Sequence, residues 1–205
     1  MPQWQAALQR HVILVSARPA IGSGLPQTLG VAMHQPSFLP KEETMAQLMD
    51  RWSMAVGRLL LAFGEIEHTT DASLRLFPRD PISDSLVELP LARRLRLVRS
   101  VLVGRKDLSN ETAVLLRCID QIVALLTIRN TVAHNPLVMA FYEVEGEEDH
   151  RMADELASKK GNQRFTYDQI AKAADNARSL SQAMLEEYYS LHKHFASNQA
   201  ARGDT

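Results

Sequence analysis

Proline removes a backbone donor and clashes with the preceding helical turn, so where the prolines fall decides where helices can run. In this chain of 205 residues, five of the 9 prolines lie in residues 1–40, three between 78 and 90, and one at 136. The proline-free stretches 41–77, 91–135 and 137–205 are therefore the room available to long helices.

Apolar residues recur at helical spacing in each stretch. Met45, Leu48, Met49, Trp52, Val56, Leu59, Leu60, Phe63, Ile66, Thr70 and Leu74 return every three or four residues and predict one long amphipathic helix. Leu91, Leu95, Val98 and Leu102 mark a second, ending near Gly104. Leu115, Cys118, Ile119, Ile122, Leu125, Leu126 and Ala133 mark a third, with Ser109 or Asn110 available as its N-cap and Pro136 closing it. Leu137–Val144 is β-prone and the acidic stretch after it turn-like. Thr166 and Gln169 have capping-box spacing, and Ile170, Ala173, Ala177, Leu180, Met184, Tyr188 and Leu191 carry a last long helix. The expected fold is all-α: an antiparallel bundle of about four long helices with a small β-hairpin or irregular insertion before the last. Residues 45–196 form the bundle, 1–44 a mobile N-terminal segment without sustained period, and 197–205 a frayed polar tail.

Composition narrows the function classes. Lys+Arg 23 against Asp+Glu 24 gives a formal charge of -1, which excludes a chain held to polyanions or anionic membrane by bulk charge. The single cysteine, Cys118, excludes a disulfide framework and a Cys-rich zinc site and fits a reducing cytoplasm, where the protein is expected. No apolar run has the roughly 20 residues of a membrane-spanning helix, so no membrane partner is expected. Gly22, Gly24 and Gly30 are interrupted by Pro26 and lack a following Gly-Lys-Ser/Thr, which argues against a phosphate loop. The acidic residues Glu143, Glu145, Glu147, Glu148, Asp149, Asp154 and Glu155 lack ligand spacing and read as a solvated loop; His192 and His194 point different ways on a helix. No metal and no cofactor are expected. Cys118, Trp52 and the helically spaced methionines read as core. Gly57 and Gly64, seven apart on the first helix, would let another helix approach closely, either within the bundle or at a dimer seam.

The chemistry-bearing stretch is Arg129-Asn130-Thr131-Val132-Ala133-His134, just before Asn135 and Pro136. Arg129 follows Leu125, Leu126 and Ile122 at four, three and seven and so projects from the apolar face of its helix, where an arginine is costly unless paired or in a cleft. Asn130 and His134 are one turn apart, so arginine, amide and imidazole are expected to converge at one helix terminus. Glu67, at four from Phe63 and seven from Leu60 and Leu74, lies on the inner stripe of the first helix and is the expected partner for the guanidinium. A second basic feature is the run Arg93, Arg94, Arg96, Arg99, Arg105 and Lys106. Within it Arg93, Arg96 and Arg99 form a stripe opposite Leu91, Leu95, Val98 and Leu102, which would suit a phosphate backbone or equally a solvated face.

The segment Arg129 to His134 resembles the R-x4-6-H signature of HEPN domains, including the polar residue directly after the arginine, and the likeness in helix order covers roughly residues 45–195. The resemblance implies either a metal-independent endoribonuclease, in a defence or stress response, or a non-catalytic RNA- or nucleotide-binding module. It also implies a homodimer with a site composed from both protomers, and a possible regulatory protein partner. In it His134 would be general base and acid for attack of the ribose 2′-hydroxyl, Arg129 would stabilise the phosphate, and Asn130 would orient phosphate or imidazole. Asn135 and Pro136 depart from the toxin subgroup, in which a tyrosine stands two residues after the histidine, so that subgroup's antitoxin pairing is not carried over. The competing reading is a helical interaction module in which Glu67 and Arg129 form a structural ion pair and His134 caps its helix.

Overall fold

A computed structural model describes residues 15–17, 43–76, 88–105, 112–142, 151–157 and 163–202. Four helices dominate: α1 (Met45–Leu74), α2 (Leu91–Gly104), α3 (Ala113–His134) and α4 (Tyr167–Arg202), with short strands β1 (Val15–Ala17), β2 (Leu137–Tyr142), β3 (Arg151–Ala157) and β4 (Arg164–Thr166). The all-α expectation with a small β insertion before the last helix holds. None of these helices is long and apolar enough to cross a membrane.

The helix ends follow local chemistry. Thr44 and Gln47 close a reciprocal capping box at the start of α1: the Thr44 amide donates to Gln47 Oε1 (2.9 Å) and the Gln47 amide to Thr44 Oγ1 (3.3 Å). Thr166 and Gln169 repeat it at α4, at 2.9 and 3.4 Å. Pro90 directly precedes α2, where its missing N–H removes nothing from the helix. α3 starts one residue after Thr112, whose carbonyl accepts the Leu116 amide (2.9 Å), so Thr112 holds the place expected for Ser109 or Asn110, which lie outside the described residues. At the other end of the chain α4 stays helical to Arg202, past the fraying expected from Ser197. Of the segment 1–44 only Val15–Ala17, Glu43 and Thr44 are described; its expected mobility otherwise falls outside the described residues.

The chain divides into two compact units. The first comprises residues 1–55 and 130–171 and contains the sheet, ordered β1-β2-β3-β4, with β1 parallel to β2 and the other pairs antiparallel. Ala140 pairs with Val15 on one side and Ala153 on the other, and Leu156 pairs with Phe165. Val138, Met139, Ala140, Ala153 and Leu156 are buried, as are Leu48, Trp52, Ala55 and Ile170 of the same unit.

Asp154 and Glu155, assigned from sequence to a solvated loop, are instead buried neighbours in β3. Consecutive strand residues face opposite ways, and each carboxylate finds its own cation. Asp154 Oδ2 accepts the Trp52 indole N–H and Arg51 Nη2 (2.8 Å); Glu155 Oε2 accepts Arg164 Nη1 (3.0 Å). Arg51 is held further by Glu43, 2.9 Å from its Nε, and by the Tyr167 ring, 4.6 Å from guanidinium carbon to centroid. Burying a carboxylate is costly without such pairing, which the acidic composition of the segment conceals. The remaining acids, Glu143, Glu145, Glu147, Glu148 and Asp149, lie outside the described residues.

The second unit, residues 56–129 and 172–205, is helical. Its core is Leu59, Phe63 and Ile66 of α1, Leu95, Val98 and Leu102 of α2, Leu115, Ile119 and Ile122 of α3, and Met184 and Leu191 of α4. Polar contacts stitch the helices pairwise: Arg58 to Asp175 between α1 and α4, Arg99 to Asp120 between α2 and α3, and the Ser181 hydroxyl to Glu65 Oε2 (2.7 Å) between α4 and α1. Thr69, Thr70 and Ser73 are buried in α1 because each hydroxyl donates to the carbonyl four residues back, at 2.9, 2.7 and 2.8 Å.

Cys118 is buried in α3, as expected of a core residue, and desolvation, with a smaller push from the Glu187 charge, raises its thiol above the ordinary range. Its neutral form is the one the fold favours, so any stability it contributes is complete below the ordinary thiol range and is lost as pH rises through the raised value. Native Cys118 should therefore alkylate at least about tenfold more slowly than the urea-unfolded thiol at pH 8, read by mass spectrometry of the labelled chain. In the sheet unit, Asp154→Ala strands Trp52 and Arg51 together; it should lower the unfolding free energy by about 3 kcal/mol in urea titration.

Candidate functional site

The candidate site begins with two carboxylates four residues apart on α1, Glu67 and Asp71, which helical geometry places on one face. Arg129, in the last turns of α3, donates from Nη2 to Glu67 Oε1 at 3.1 Å, the partnership expected from the sequence. Arg94 of α2 enters between the acids: Nη1 donates to Asp71 Oδ1, and Nη2 lies 3.7 Å from Glu67 Oε2. Asp71, Arg94, Glu67 and Arg129 thus form an alternating ladder across three helices, with two positive and two negative charges.

Exposure grades along this ladder. The Arg94 side chain is 9% exposed, whereas Arg129 and Glu67 are 29% and 33% exposed. The Arg94 end of the ladder is therefore nearly buried, although Asp71 is 24% exposed, and the Arg129–Glu67 pair is partly exposed. Arg94 was read from sequence only as one member of the basic run. Its position held the signal: it lies three after Leu91 and four before Val98, both buried, so it shares their inward face.

Arg93, Arg96 and Arg99 sit on the exposed side of α2, as the stripe requires. Arg99 is not available in full, because its Nε donates to Asp120 Oδ1 at 2.8 Å and its Nη2 reaches Asp120 Oδ2 at 3.5 Å. That hydrogen bond, with the Asp120 charge, raises the Arg99 guanidinium above its ordinary value. The effective stripe is Arg93 and Arg96, with Arg99 partly neutralised.

At the end of α3, Asn130 and His134 are both exposed and one turn apart, so they share a face. Arg129, in the helical unit, is directed to Glu67. His134 does not cap the helix. Asn135 does so: its backbone and side-chain amides both donate to the Thr131 carbonyl, at 3.0 and 2.8 Å. His134 stands in the last turn of α3.

Among the described residues no group of three or more His, Cys, Asp or Glu side chains is placed to hold a metal ion. His192 and His194 pack instead against aromatic neighbours, Tyr188 and Phe195.

The gradation in burial predicts unequal costs. Arg94→Met, which leaves Asp71 without its cation and Glu67 with Arg129 alone, should destabilise the chain by about 3 kcal/mol. Arg129→Met, at the partly exposed pair, should cost less, about 1 kcal/mol, in the same denaturant titration.

Neither a protein-family model, nor a curated protein, nor a solved structure matches this chain.

Proposed function

We propose that the protein is a HEPN-like, RNA-directed protein that cleaves RNA without a metal, using His134, Arg129 and Asn130, in a defence or stress response. The observation that carries this reading is the end of α3: an exposed imidazole and amide sharing a face, on the helix whose preceding turn holds a half-exposed arginine against Glu67. In the reaction, His134 takes the proton from a ribose 2′-hydroxyl as that oxygen attacks the adjacent phosphorus. The bond to the 5′-oxygen breaks, that oxygen receives a proton from the imidazolium, and a 2′,3′-cyclic phosphate is left. Arg129 stabilises the charge on the phosphoryl oxygens, and Asn130 orients phosphate or imidazole. As the resemblance implies, two protomers contribute to the site. Arg93 and Arg96 would follow the flanking phosphates. The setting is a homodimer in the cytoplasm, with a regulatory protein as a further partner.

The ladder also favours a second reading. Because Arg129 is already engaged by Glu67, the chain would serve as a non-catalytic RNA- or nucleotide-binding or protein-interaction module, with the pair holding helix register.

Incubation with generic RNA in excess EDTA separates the readings. The nuclease requires cleavage that leaves cyclic phosphate ends and at least a ~100-fold loss in His134→Ala. Equal inertness of wild type and His134→Ala, with RNA bound by both and steeply salt-dependent, supports the module. In either version the pair Arg93→Glu and Arg96→Glu should weaken RNA binding and flatten the slope of log affinity against log salt by about 1.4 for single strands. An unchanged slope would remove the stripe from the interface.

A further inference from the structure

The outward face of α1 carries large apolar side chains among its charged ones. Leu61 is 73% exposed and Leu60 37% exposed, and Gly57 and Gly64 stand on either side of Leu61, four before and three after it. Glycine is among the poorest helix formers, because it gives up the most backbone freedom on ordering. Two of them in mid-helix need a compensating reason. Close packing inside the chain is not that reason: a Cβ built on Gly57 or Gly64 would meet no atom within 4 Å. Of the two explanations open at the sequence level, an approach within the bundle is thereby removed among the described residues, and the approach of another molecule remains.

We infer that a second copy of this chain docks on this face, α1 against α1 and antiparallel about a two-fold axis, with Leu61 of each copy seated beside a glycine of the other. The arrangement is self-complementary. Gly57, Leu61, Gly64 and His68 follow each other at alternating four- and three-residue steps, the spacing of a coiled-coil seam, and Leu61 is a knob with a gap beside it. An isologous interface uses one patch twice, so knob and gap must both lie on the same patch, as they do here.

Charge fixes the direction. Arg58 and Glu65 are seven apart and line the same flank of the seam. Antiparallel pairing brings equivalent flanks together, so Arg58 of one copy meets Glu65 of the other on both sides of the axis. Within the chain Arg58 pairs with Asp175 at the surface and Glu65 accepts the Ser181 hydroxyl through one oxygen, which leaves its other oxygen for the second copy. An exposed pair such as Arg58–Asp175 is weak and can be shared. This inference does not rest on the RNA reading; it stands on the surface of α1 alone.

Sedimentation equilibrium and light scattering of the full chain test it. Wild type is expected to be a dimer in the micromolar range, and Leu61→Glu, at a largely exposed site, a folded monomer by circular dichroism. Gly64→Leu closes the gap while improving helix propensity, so the dimer should weaken at least tenfold with no loss of helicity. Arg58→Glu should weaken the dimer at least tenfold, and Arg58→Glu combined with Glu65→Arg should restore it. A wild type that stays monomeric at 100 µM overturns the proposal, as does a Leu61→Glu chain that remains dimeric. A charge swap that fails to rescue overturns the antiparallel arrangement.

Discussion

The ladder of Asp71, Arg94, Glu67 and Arg129 is the interaction on which the helical unit depends most specifically. Apolar burial along α1, α2 and α3 is non-directional and tolerates small slips, whereas a guanidinium between two carboxylates defines register. Arg94 is nearly buried, and a cation there is tolerable because Asp71 accepts its hydrogen bond, with Glu67 adding charge from 3.7 Å. Those two acids share a face only if α1 is continuous between them. Asp154 plays the corresponding part in the sheet unit, where Trp52 and Arg51 are fixed on one carboxylate oxygen of β3.

Both anchors bear on what was legible in the sequence. Prolines and the three-to-four spacing of apolar residues located α1 and α2 with their observed ends, because helices are set by local backbone chemistry and one apolar stripe. The pairing of Glu67 with Arg129 was legible for the same reason: each interrupts an apolar stripe, and their charges are opposite. Asp154 and Glu155 were misread because they follow a run of other acids, and only strand pairing places Met139 and Val138 opposite them. Arg94 was hidden among other arginines, although its position on the stripe marked it. The engagement of Arg99 with Asp120 was not legible, since it depends on how α2 and α3 lie beside each other. Asn135 displaced His134 from the capping role because a side-chain amide can donate to the carbonyl four residues back, a contact that spacing alone does not rank.

The outer rung of the ladder joins structure to the proposed chemistry. Arg129 is held by Glu67 where it is still reachable from solvent, so a phosphate would compete with the carboxylate for one guanidinium. In the proposed reading, structural and phosphate-binding roles for Arg129 would therefore be coupled. A carboxylate that positions the arginine also lowers its attraction for anions, so a phosphate would have to be well placed to displace it.

The affinity of Glu67→Gln for single-stranded RNA, measured by fluorescence anisotropy at fixed salt beside wild type, tests this coupling most directly. Removing the competing charge while keeping the side chain's shape should strengthen binding several-fold, with only a small loss of unfolding free energy. Unchanged or weaker binding by a folded Glu67→Gln chain would contradict the account and leave Arg129 a strut between helices.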